Sequence, residues 1–142
     1  MSVLPPPEQL AKLVSKVTNT MLGIAFVPDP AHELRPALVW RTALLPIPGV
    51  RPITVGLSSD EQGCLALSGA MFGVKAEEVD SRMIDEALCE LLNMTAGLVK
   101  GALSLDQSLG LPHIVSESPR AALAVTLRAE KLGLVLWICE GV

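Results

Sequence analysis

The main helical pattern of the chain runs from about Asp80 to Leu103, and it dictates the kind of fold that can hold it. Ile84, Ala87, Leu88, Leu91, Thr95, Leu98 and Ala102 recur at spacings of three and four, so they line one face of a helix of 3.6 residues per turn. Asp80 or Ser81 supplies a plausible N-cap. A face this wide is stable only when buried against a sheet or another helix. On a different side, within EALCELLNMTAG, the residues Glu86, Glu90, Asn93 and Gly97 advance by 4, 3 and 4 positions and stack into a polar stripe.

The remaining elements supply the surface for that face. Prolines in PPPEQL precede a first helix from about Glu8 to Leu22, with Leu10, Leu13, Val14, Val17, Met21 and Ile24 at helical spacing and a stop near Gly23. VPDPAHELRP reads as a loop. ALVWRTALL, PITVGLS and GCLALSG then read as three strands separated by turn residues, and AMFGVKAEE as a turn or short helical piece. After the main helix come HIVSES, AALAVTLRAE and GLVLWICE, the last two joined by the tight EKLG turn. The order is helix, three strands, helix, three strands. Its economical form is an α+β domain of two pseudo-repeats, with both long helices on one face of a mostly antiparallel sheet. An offset of 74 residues lays SKVTNTMLGIA against CELLNMTAGLV, placing Asn19 under Asn93, Gly23 under Gly97 and Lys16 under Glu90.

At 142 residues the chain is expected to form a single domain over 1–142 without staples. Two Phe, two Trp and no Tyr mean an aliphatic core and no aromatic platform for stacked bases. The net charge of -4, with basic residues scattered, argues against nucleic acid as a partner. MSVLPPPEQL lacks the order of a signal peptide, and charges or prolines interrupt every apolar run, so a soluble cytoplasmic protein with no membrane association is expected. Cys64, Cys89 and Cys139 lack metal or redox spacing and read as buried reduced thiols. His32 and His113 stand far apart with no partner at ligand spacing, so no metal site is expected.

The stripe is the part of the pattern that packing does not require. Asn is a poorer helix former than Ala, and Gly97 and Gly101 each cost the helix about 1 kcal/mol. Glu90 and Asn93 lie one turn apart and can enter the same cleft of a partner, while bare backbone at Gly97 and Gly101 permits close approach. A carboxylate can meet an ammonium, and an amide can hold a water in one orientation. Those two tasks suit water attack at a phosphoryl group bound elsewhere. Glu and Asn on the outer face of an amphipathic helix are also ordinary solvated residues, so spacing alone leaves both readings open.

EALCELLNMTAG resembles the signature helix of the CheC/CheX/FliY phosphatases of bacterial chemotaxis: Asp or Ser, three residues, Glu, two residues, Asn, and later a proline. TMLGIAF and GLPHIV also resemble CheX segments, so the likeness spans nearly the whole chain. Here Glu86 stands where the family has Asp or Ser, and Pro112 and Pro119 follow Asn93 after 18 and 25 intervening residues. CheX is the nearest branch, because only the second helix keeps both Glu and Asn. The resemblance implies a CheC-like fold, a homodimer, and a phosphatase acting on a CheY-like response regulator in two-component signalling. It implies that Asn93 orients the attacking water and Glu90 pairs with the regulator's lysine, with Glu86, Gly97 and Gly101 shaping the partner contact. The Mg²⁺ would belong to the regulator, and the chain would need no cofactor of its own. The alternative is a non-catalytic CheX-like module that binds or sequesters a regulator or another signalling partner. A third reading takes the apolar GLVLWICE strand as one that pairs across a subunit interface.

Overall fold

The computed structural model describes residues 5–29, 36–116, 119 and 123–142. In chain order the elements are α1 (Pro7–Leu22), β1 (Val27–Pro28), β2 (Arg41–Ile47), β3 (Ile53–Ser59), α2 (Glu61–Phe72), α3 (Ser81–Ala102), β4 (His113–Val115), β5 (Leu123–Ala129) and β6 (Leu132–Glu140). Single 3₁₀ turns lie at Pro36–Val39 and Ala76–Glu78.

Both long helices begin on the signals their sequences carry, and α1 also ends on one. A proline opens α1, its fixed φ suiting the first turn. Gly23, at φ 70°, closes it in the left-handed region, with its N–H donating to Asn19 O at 3.0 Å. Asp80 caps α3, its Oδ1 accepting from the Met83 N–H at 2.9 Å. The buried face of α3 is Ile84, Ala87, Leu88, Leu91, Leu92, Thr95, Ala96 and Val99. It is rotated slightly from the expected one, leaving Leu98 half-buried and Ala102 exposed.

All strands pair antiparallel in one sheet of order β1-β5-β6-β3-β2-β4. Exchanging the first three strands for the last three leaves this order unchanged when read from the other edge. The two pseudo-repeats therefore share one sheet, their third strands β3 and β6 meeting at its centre. Each half also lends its outermost strand to the other, β1 to β5 and β4 to β2. Helices α1, α2 and α3 cover one face over a core that includes Leu10, Val14, Leu67, Leu91, Val55, Leu134 and Leu136. On the opposite face Val135 and Trp137 pack with Leu38. There the Trp137 Nε1–H donates to Ser58 Oγ at 2.7 Å, and Ser58 Oγ lies 2.6 Å from Thr42 Oγ1, so these buried polar groups satisfy one another.

Three expectations are corrected. GCLALSG is not a strand; it lies within α2, capped by Asp60 Oδ1 on the Gly63 N–H at 2.6 Å and closed by left-handed Gly73. A side chain at Gly63 would run into Ser59 Oγ, so the glycine is what lets α2 start hard against β3. The third strand of the first half is instead β1, two residues within the expected loop. The start of ALVWRTALL likewise falls in the 3₁₀ turn Pro36–Val39, and β2 begins only at Arg41. Finally, β6 is paired on both sides, by β5 and β3, so it cannot pair across a subunit interface. Residues 30–35, 117–118 and 121–122, expected as parts of a loop and of strands, lie outside the described residues, as does His32.

Candidate functional site

Arg41, at the start of β2, fixes the N-terminal turns of α3. Its guanidinium bonds Asp85 at 2.5 Å and Ser81 Oγ at 3.3 Å, and it lies 4.8 Å over the Trp40 ring. Farther along, α3 faces α2 on one side and α1 on the other, and the stripe of Glu86, Glu90, Asn93 and Gly97 runs between them. Asn93 borders two grooves. One, of about 380 Å³, has Met71 and Phe72 from the end of α2 facing Glu86, Cys89, Glu90 and Asn93. The other, of about 360 Å³, has Lys16, Val17 and Thr20 of α1 facing Asn93, Met94, Gly97 and Leu98.

The acids of α3 differ in what they already do. Asp85 is held by Arg41, and Glu86 by Arg82 at 3.6 Å one turn earlier. Glu90 has no ion-pair partner among the described residues and is exposed. The half-exposed Asn93 amide likewise makes no hydrogen bond among them. A side chain added at Gly97 or Gly101 would meet nothing within 4 Å, so neither glycine is demanded by packing. Gly97 lines the α1–α3 groove, whereas Gly101 lines neither groove.

The thiols are free, and only Cys64 is fully buried; Cys89 and Cys139 are half-buried, more exposed than their apolar neighbourhoods suggested. Burial, and then the charge of Asp85, push the Cys89 thiol above its ordinary value. It therefore stays protonated at neutral pH and is no nucleophile. No group of three His, Cys, Asp or Glu among the described residues could hold a metal ion. A cavity of about 130 Å³ beside the β5–β6 turn is lined by Asp60, engaged in the α2 cap, by Asp29, paired with Arg128 at 3.8 Å, and by Glu130 and Lys131. Sequence reasoning found the stripe but not its walls. Met71, Phe72 and the Arg41 anchor carry no local signal, while Lys16 was visible as the position under Glu90.

A sequence model of one family, described as Chemotaxis phosphatase CheX, matches residues 41–132, a span that includes β2, β3, α2, all of α3 and both Glu90 and Asn93. The chain belongs to the CheX family. Solved CheX structures share its fold: that from Desulfovibrio desulfuricans has 20% identity over 93% of this chain and 99% of that one, with TM-score 0.70. The Vibrio vulnificus CheX has 18% identity over 92% of each chain and TM-score 0.76. A Borrelia burgdorferi CheX, crystallised with CheY, BeF₃ and Mg²⁺, has 15% identity over 97% of this chain and 100% of that one, with TM-score 0.71. No curated protein is significantly similar in sequence. Among the described residues of this chain, no helix is long and apolar enough to cross a membrane.

Proposed function

We propose that this chain accelerates hydrolysis of the aspartyl phosphate on a CheY-like response regulator, with Asn93 holding the attacking water and Glu90 pairing with a lysine beside the phosphorylated aspartate. The observation that carries this reading is the contrast along α3. Asp85 and Glu86 have cationic partners within the chain, whereas Glu90 and Asn93, one turn apart at the edge of the same groove, have none among the described residues. A charge and an amide presented this way suit a partner that supplies the complementary groups.

In this reading the chain adds position and charge to a reaction whose electrophile sits on the partner. The Asn93 carbonyl accepts from the water while its NH₂ donates to a phosphoryl oxygen, so the water faces phosphorus opposite the leaving group. Water oxygen bonds to phosphorus, the P–O bond to the receiver's aspartate breaks, the carboxylate leaves with that electron pair, and the water's proton departs on inorganic phosphate. Mg²⁺, held by the receiver, would offset charge on the phosphoryl oxygens. Glu90 draws the receiver's lysine toward α3 and fixes the docking register. Glu86, Gly97 and Gly101 complete the contact, the glycines by leaving backbone bare. We further propose that residues 1–142 act as one domain, in the cytoplasm, as a homodimer. Its interface would avoid β6 and could use the outer edges of β1 and β4, which have no strand partner among the described residues. Sedimentation equilibrium checks the dimer.

The test is decay of the aspartyl phosphate on a CheY-like receiver with Mg²⁺ and catalytic amounts of this protein. Asn93→Ala is expected to lose about 30- to 1000-fold in turnover, roughly 2 to 4 kcal/mol in the barrier, with affinity kept. Glu90→Lys is expected to weaken binding through like-charge contact. No acceleration by the wild type, with binding retained, would make the chain a non-catalytic receiver-binding module. Equal loss of folding stability in both variants would make these residues structural and overturn either reading.

A further inference from the structure

The α1–α3 groove lies on the side of Asn93 away from Glu90's acidic neighbours, and its charge is of the opposite sign. Lys16 is exposed on α1 and shares the groove with Gly97 and Leu98. Lys100 lies two turns beyond Asn93 on the same stripe of α3, and Lys12 is exposed one turn before Lys16 on α1. None of the three has an ion-pair partner among the described residues. The surface around Asn93 is thus bipolar, with Glu86 and Glu90 at one end and lysines at the other. Between them the groove is nearly all apolar, floored by Val17 and Leu98. An ion pair made over such a floor is less screened than one in open solvent.

We propose that Lys16 is a specificity-determining contact of the proposed reaction, its ammonium binding a surface carboxylate of the receiver and so fixing the orientation in which Asn93 meets the phosphoryl group. This rests on the reading that Asn93 and Glu90 engage a receiver. A partner that places a cation opposite Glu90 must then place an anion opposite Lys16, and rotating it end for end would set like charges against each other at both ends. The pseudo-repeat explains how the device arose in the fold. Lys16 occupies in α1 the position that Glu90 occupies in α3, so one half of the repeat presents the acid and the other the base. The occupant is taken as a carboxylate because the phosphoryl group is already assigned to Asn93 on α3, while Lys16 stands across the groove on α1; the loaded and unloaded receivers below tell the two anions apart.

The test is a binding titration of a CheY-like receiver, with Mg²⁺, both loaded with BeF₃⁻ and unloaded, at low and high salt, alongside the phosphate-decay assay. The proteins are wild type, Lys16→Glu and Lys16→Arg, with thermal unfolding of each as the fold control. Expected is a loss of affinity on the order of tenfold for Lys16→Glu at low salt, equal for loaded and unloaded receiver and smaller at high salt, with kcat unchanged and Lys16→Arg close to wild type. Unchanged affinity in Lys16→Glu overturns the inference. A loss confined to the loaded receiver overturns it in favour of a phosphoryl contact, and a loss of kcat with affinity kept makes Lys16 part of the chemistry instead. The reading of Asn93 fails separately, when Asn93→Ala turns over like wild type. If the wild type binds neither form of the receiver, both fail together.

Discussion

Gly97 offers a test in which stability and docking are expected to move in opposite directions. The residue is exposed in the interior of α3, and a methyl group placed there meets nothing within 4 Å. Gly97→Ala therefore gains helix propensity, about 1 kcal/mol, without strain or lost packing. For a chain of this size that corresponds to a rise in Tm of roughly 3 to 5 °C, read by far-UV circular dichroism. Gly97→Leu keeps a good helix former but pushes a branched side chain into the groove of about 360 Å³ beside Asn93. It is expected to melt no lower than wild type and to raise KM for the phosphorylated receiver by about tenfold or more, roughly 1.4 kcal/mol. A lower Tm for Gly97→Ala would mean that bare backbone at this position serves the fold itself. A stable Gly97→Leu with unaltered KM would mean that the partner does not approach the stripe here.

Two other expectations concern the frame around the site. The Gln107 side chain donates to the carbonyls of Ile47, Pro48 and Arg51 and accepts from the Arg51 N–H, clamping the β2–β3 turn to the segment after α3; Gln107→Ala is expected to cost about 1 to 3 kcal/mol in urea unfolding. Burial raises the Cys64 thiol from its ordinary 9.0 to about 12. The folded state thus holds this proton more tightly than the unfolded state, so its contribution is complete below about pH 9 and is lost as pH climbs towards 12. The stability of wild type relative to Cys64→Ala should accordingly fall across that window, by at most about 1.4 kcal/mol per pH unit, and be flat below it.

What could be read from the sequence followed from whether an element carried its own signal. α3 was legible because apolar spacing, the Asp80 cap and a polar stripe all agree over 22 residues. β3, β5 and β6 were legible as apolar runs between turn residues. GCLALSG was misread because apolar residues surround α2 on every side, which erases the 3.6-residue period that separates a buried helix from a buried strand. Its true signals, Asp60 and Gly73, lie outside the run. β1 had no signal at all: Val27 and Pro28 are strand only because β5, about a hundred residues later, lies beside them. The same division holds at the site. Glu90 and Asn93 are local to one helix, whereas Phe72, Lys16 and the Arg41 that holds Asp85 reach it through tertiary contacts that no window of sequence contains.

The reciprocal arrangement of the sheet also bears on how such a chain comes into being on the ribosome. Its central seam joins Ile53 to Glu140 and Ser59 to Leu134, so β3 must wait for a partner strand made long after it. Until β6 emerges, β3 presents an unpaired apolar edge, and until β5 emerges β1 has nothing to lie against. Non-local pairing of this kind closes late and slowly. The nascent chain must therefore keep Val55, Leu57 and its own helices from collapsing onto neighbours until β6 emerges, and truncation before Leu132 would leave β2–β3–β4 and β1–β5 as two unjoined half-sheets.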